Sequence, residues 1–199
     1  MHNIVYHELK EHAPFTFLGA LSGIVLFVLL RNIPYETSHQ LFYIFHPIHV
    51  LFSSFVTVSL YILHTKEKKS FLKIFLIGYF GSIGIATISD SIIPFLGEAL
   101  LNFPERHVHL GFIEKWYIVN PLAFLGIILA TFKPFTKFPH FGHVLLSTWA
   151  SLFHVLMSIS GALNLYTYTA ILFLLFFAVW LPCCVSDIVF PLLFIKEKD

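Results

Sequence analysis

Six apolar runs, at about 15–31, 41–63, 70–97, 117–133, 138–161 and 165–195, take up most of the 199 residues. A run of ~20 such residues matches the ~30 Å hydrocarbon core of a bilayer. In that core the backbone satisfies its polar groups only as a helix or a closed barrel. Apolar residues make up 57% of the chain and charged ones 12%, more apolar surface than one soluble core of this size can hide. The expected fold class is therefore an all-α integral membrane protein: six transmembrane helices in a single membrane domain, 1–199.

The charges give an orientation. With six spans both termini share a side, and that side collects Lys10, Lys66, Lys68, Lys69, Lys73, Lys133, Lys137, Lys196 and Lys198. The other side has Arg31, Arg106 and Lys115. The positive-inside rule then places both termini in the cytoplasm, with the protein in the cell (inner) membrane. The first run is not read as a signal peptide, because Glu8 and Glu11 precede it and no small-residue cleavage site follows. The net charge of +1 points to no nucleic-acid partner. "KEKK" at 66–69 reads as a topology signal. Cys183 and Cys184 are adjacent, so they imply no disulfide framework.

Three local patterns recur in the same order in the two halves. "PFTFLG" (14–19) matches "PLAFLG" (121–126), "HPIHVLFSSFVT" (46–57) matches "HFGHVLLSTWAS" (140–151), and "SDSIIP" (89–94) matches "SDIVFP" (186–191). Three matches in series point to a duplicated three-helix unit. Repeat 1 covers 1–97, with an amphipathic segment at 1–13, and repeat 2 covers 116–199. Residues 98–115 form an outer loop. An odd number of spans per unit inserts the second copy upside down, the plan of many secondary transporters.

Each repeat puts a carboxylate inside the membrane, Asp90 and Asp187, where such a group costs roughly 2.5–3.5 kcal/mol on insertion scales. Pro94 and Pro191 follow four residues later. In an α-helix a proline at i leaves the carbonyl of i−4 without its N–H, so each Asp is expected to offer a carboxylate and a free carbonyl on a kinked third or sixth helix. Ser89 and Ser186 would add a hydroxyl. The bland alternative is a proline kink with an Asp bonded to a neighbouring helix.

His46/His49 and His140/His143 are His-x-x-His pairs, and residues i and i+3 share a helix face within reach of one metal ion. Counting along each span puts His46, His49 and Asp90 toward the outside and His140, His143 and Asp187 toward the cytoplasm, one site near each face. His154 continues the His143 stripe deeper into the membrane. Cys183, four residues before Asp187, is an additional candidate that would favour a softer metal, although Cys is also common as packing in apolar helices.

Elsewhere, "HELKEH" (7–12) reads as a short amphipathic surface segment, and the glycines of "GYFGSIG" (78–84) as close helix packing. The loop 98–115, with Glu98, Glu105, His107, His109 and Glu114, reads as a solvated connection rather than a cation-gathering vestibule.

These patterns favour a cation transporter for a divalent transition metal, with zinc as the candidate, using mirrored His-x-x-His plus Asp sites. The alternative class is a membrane-embedded metal-dependent hydrolase, since two His and one Asp leave an open position for water. It lacks a second carboxylate in either cluster, and Glu98 is the nearest candidate base. Haem ligation is a third class, less suited to i, i+3 spacing. The expected partners are the lipid bilayer and a metal cation; a homodimer stays open.

Overall fold

A computed structural model describes residues 2–65, 70–159, 161 and 163–195. For residues 2–5, 7–9, 11–13, 15, 16 and 137 it describes the backbone alone. The chain is all-helical, with no strand among the described residues. The elements are α1 (His2–Leu30), α2 (Tyr35–His64), α3 (Phe71–Leu100), a short α4 (Gly111–Glu114), α5 (Trp116–Phe132), α6 (Lys137–Ser158) and α7 (Leu165–Leu192). Four of these, α2, α3, the Phe138–Ser158 stretch of α6, and α7, are long and apolar enough to cross a membrane. Phe17–Leu30 and Trp116–Phe132 are shorter apolar helices.

The distribution of polarity is what a lipid solvent selects. Phe17, Leu21, Val28, Leu29, Phe124, Ile128, Leu129 and Phe132 are exposed, whereas serine, threonine, histidine and aspartate lie buried among the apolar clusters of the interior. Water would favour the reverse.

From His2 onward, the amphipathic segment expected at 1–13 is continuous with α1, with Pro14 inside the helix. The side chains of His7, Glu8, Glu11 and His12 lie outside the described residues, as do the "KEKK" segment and Lys196 and Lys198.

The halves interlock. Side chains of α2 and α6 meet in antiparallel order: Phe45 against Trp149 and Phe153 at 5.1 and 5.4 Å, then His49 against His143 at 4.5 Å between ring centroids. Farther along, Phe52 lies against Gly142. The repeated "FLG" glycines explain how the outer helices dock. A Cβ on Gly19 would stand 2.7 Å from Val144 Cγ1, and one on Gly126 would stand 2.1 Å from Ser54 Oγ and 2.3 Å from the Leu51 carbonyl oxygen. Each glycine thus lets the first helix of its own half press onto the second helix of the other half, as small residues do in membrane bundles.

Both Asp-bearing helices contain π turns, Phe80–Gly84 and Ile88–Ile92 in α3 and Val185–Val189 in α7. In them Ile93 N–H bonds the Ile88 carbonyl and Phe190 N–H bonds the Val185 carbonyl, five residues back. Single π turns of this kind occur often at functional sites.

Candidate metal centres

The His-x-x-His face of α2 and the π turn of α3 bring one triad together. His46 Nδ1 and His49 Nδ1 both lie on Asp90 Oδ2, at 2.8 and 2.6 Å. The second triad repeats this contact by contact: His140 Nδ1 and His143 Nδ1 lie on Asp187 Oδ2, at 2.8 and 2.5 Å. All six residues are 1% exposed or less.

An ionised carboxylate accepts only, so each imidazole that bonds it carries its proton on Nδ1 and keeps a lone pair on Nε2. Nε2 of His46, His49 and His143 is buried without a hydrogen-bond partner among the described residues. A carboxylate behind Nδ1 with an unpartnered Nε2 is the arrangement that orients metal-binding histidines. The ligand atoms of each triad also lie within 4.8 Å of one another. Two binding modes are thus open to the same residues: at Nε2 with the aspartate behind, or among both Nδ1 atoms and the carboxylate. The second mode displaces the Nδ1 protons and opens the cluster, since two ligands ~2.0–2.1 Å from a tetrahedral ion stand ~3.3 Å apart.

The expectation of one site near each face needs correction. His49 and His143 stack, with centroids 4.5 Å apart and planes tilted by 24°, so the triads meet back to back. The cause is the antiparallel crossing of α2 and α6, which falls at the "HVL" motifs themselves. Depth counted along each helix separately does not reveal where two helices cross.

The freed carbonyl is also displaced from the expected position. In the five-residue register Pro94 faces Ser89 rather than Asp90, and Pro191 faces Ser186. The hydroxyls of the opposite half reach those carbonyls: Ser151 donates to the Ser89 carbonyl at 3.0 Å and Thr57 to the Ser186 carbonyl at 3.4 Å.

The two serines part company. Ser89 donates to Asp90 Oδ1 at 2.7 Å, joined by Ser147 at 2.9 Å. Ser186 donates instead to the Gly81 carbonyl at 2.9 Å, because the π turn at Phe80–Gly84 runs beside it. Asp187 Oδ1 consequently has no hydrogen-bond partner among the described residues.

Cys183 is buried and free, and it groups with His49 and His143 rather than with His140 and Asp187. It is poorly placed to share an ion with those two rings. Lone pairs lie in the ring planes, and planes tilted by only 24° at a 4.5 Å spacing do not intersect within ~2.1 Å of both rings, the Zn–N bond length.

His154 lies deeper along the same helix as His143 and joins neither triad. Its Nδ1 lies 2.8 Å from Glu98 Oε1, and both side chains are buried. Glu98, expected in a solvated loop, is instead buried, because α3 extends to Leu100 and carries it inside. The loop then folds back: Ser91 donates to the His109 carbonyl at 2.6 Å, which sets the His109 ring 5.5 Å from that of His154.

Burial pushes the His109 imidazole below its ordinary value, with nearby His154 adding to the effect. Burial opposes ionisation of Glu114 as well. Hydrogen bonds from Tyr43, the Leu110 N–H and His109 outweigh it and hold the Glu114 carboxyl below the usual range.

A search of protein-family models, of curated proteins and of solved structures finds no match to this chain.

Proposed function

We propose that this is a six-span integral membrane protein built from two inverted three-helix repeats, and that it moves a divalent transition-metal cation, zinc being the candidate. The observation that carries the reading is the pair of buried His–His–Asp triads meeting at His49 and His143. A buried structural histidine pairs both ring nitrogens, whereas Nε2 of His46, His49 and His143 has no hydrogen-bond partner among the described residues. Here four converge in pairs on two carboxylates, inside a bundle whose outer surface is apolar.

The inverted repeat is supported by correspondence of contacts. His46, His49, Ser53, Thr57, Ser89 and Asp90 map by sequence offset onto His140, His143, Ser147, Ser151, Ser186 and Asp187. The bonds His–Asp, Ser53–Ser186 at 3.3 Å and Ser147–Ser89 at 3.3 Å map with them. Equivalent helices that cross antiparallel are related by a two-fold axis perpendicular to them, and in a bilayer that axis lies in the membrane plane.

Adjacency of the triads supports the transport reading. Two equivalent centres one ring apart offer an ion two positions of nearly equal energy, and rocking of one half against the other would expose each in turn. Histidine titrates near neutral pH, so ion entry can be linked to proton release. The hydrolase reading loses its candidate base, since Glu98 bonds His154 and enters neither triad.

The test is zinc flux into proteoliposomes holding a trapped indicator, with wild type beside His49→Ala and His143→Ala. The reading expects flux in wild type and at least a tenfold loss in both variants. Equal flux in all three, or none above empty vesicles, contradicts it.

A further inference from the structure

The correspondence between the halves also breaks beyond the triads, in the chemistry of a whole cluster. The position equivalent to His154 is Leu60, and those equivalent to Ser91 and Glu98 are Ile188 and Ile195. There the structure has an apolar cluster, with Leu60, Ile188 and Leu192 buried and Ile195 packed against them. Beyond the triads, the buried side chains at one end are thus aliphatic, whereas those at the other include Glu98, His154 and His109.

At this polar end the metal-site pattern recurs twice. Glu98 Oε1 lies 2.8 Å from His154 Nδ1, and Glu114 Oε2 lies 3.4 Å from His109 Nδ1. Nε2 of both imidazoles is buried without a hydrogen-bond partner among the described residues, as is Glu98 Oε2. A buried donor or acceptor left unpaired is costly, and the side chains of Leu60, Ile188 and Leu192 at the equivalent place carry none. The rings stand 5.5 Å apart at 70°. Two imidazoles on one tetrahedral ion place their centroids about 5 Å apart, given Zn–N bonds of ~2.0–2.1 Å.

We propose that His154 and His109 hold a divalent cation between their Nε2 atoms, in a third centre that has no counterpart in the other half. Glu98 and Glu114 act as positioning residues at the two Nδ1 atoms. Two protein ligands with the remaining positions left to water give weak, exchangeable binding. Access is short: a surface cavity of about 360 Å³ lined by His39, Tyr43 and Lys115 adjoins His109, whose ring stands 5.4 Å from His39. Inward, Phe42 separates the centre from the first triad, 5.5 Å from His154 on one side and stacked 5.3 Å from His46 on the other. The third centre therefore loads one end of the path only.

Equilibrium dialysis of the full chain in detergent against radioactive zinc tests this. A His49→Gln/His143→Gln background breaks both triads. In it, about one zinc per chain is expected to remain, and His154→Gln or His109→Gln is expected to remove it. Glu98→Gln preserves the shape of the site and is expected to weaken that zinc about 10–100-fold without changing its number. It keeps the test decisive if the histidine variants fail to fold. Residual zinc indifferent to His154→Gln and Glu98→Gln, or no residual zinc at all, overturns the third centre. The triad reading fails separately, if zinc binding by wild type is undiminished in the His49→Gln/His143→Gln background.

Discussion

Asp90 and Asp187 occupy equivalent positions, yet their removal is predicted to cost different amounts. Asp90 accepts from two imidazoles on Oδ2 and from the hydroxyls of Ser89 and Ser147 on Oδ1. Asp187 accepts from two imidazoles on Oδ2, and its Oδ1 has no partner among the described residues. Side-chain hydrogen bonds inside membrane bundles contribute on average ~0.6 and at most ~1.7 kcal/mol each. Two such bonds give about 1–3 kcal/mol for Asp187→Ala, and four give about 2–7 kcal/mol for Asp90→Ala. Volume loss is the same in both variants, so the cavity contribution largely cancels. The assay is unfolding by SDS titration in mixed micelles with a chelator present, followed by circular dichroism. Asp90→Ala should shift the midpoint about twice as far as Asp187→Ala. A shift for Asp187→Ala equal to or larger than that for Asp90→Ala would refute the hydrogen-bond assignment.

Other perturbations probe separate parts of the structure. A Cβ on Gly111 would lie 2.4 Å from His46 Cδ2 and 2.6 Å from its Nε2; Gly111→Ala should therefore displace that ring and weaken zinc binding at the first triad about tenfold, read by dialysis. Gly126→Ala meets the Leu51 backbone at 2.3 Å, which cannot rotate away, and should destabilise the α2–α5 contact by about 1–3 kcal/mol in the SDS assay. Because burial holds the His109 imidazole below its ordinary value, the unfolded chain takes up a proton near pH 6.5 that the folded chain refuses. Stability should accordingly fall as pH drops below about 6.5, and His109→Gln should flatten that slope in thermal melts.

Much of the site is visible in the sequence, for identifiable reasons. A His-x-x-His pair fixes two imidazoles on one face whatever the tertiary structure, and its recurrence beside a second Ser-Asp motif names the partner carboxylate. The "FLG" repeat marks the glycines that seat α1 and α5, although not that each seats on the opposite half. Crossing points stay hidden, because the 4.5 Å approach of His49 to His143 depends on two helices a hundred residues apart. The π turns are equally silent: one inserted backbone register moves the unpaired carbonyl from Asp90 to Ser89 and frees Ser186 to bond Gly81. Gly97 and Glu98 end the uninterrupted apolar run in the sequence, whereas the helix that buries Glu98 runs on through Ala99 to Leu100. Its pairing with His154 has one legible trace: both replace aliphatic residues, Ile195 and Leu60, at equivalent positions of the other half.

Zinc-edge X-ray absorption on the loaded protein tests the central claim most directly, that imidazoles of the two triads hold the cation. The account predicts a first shell of nitrogen and oxygen at ~2.0–2.1 Å with imidazole scattering from two histidines per ion, and no sulfur at ~2.3 Å. Zinc that is not retained by the wild-type protein, or a sulfur shell from Cys183, would contradict it.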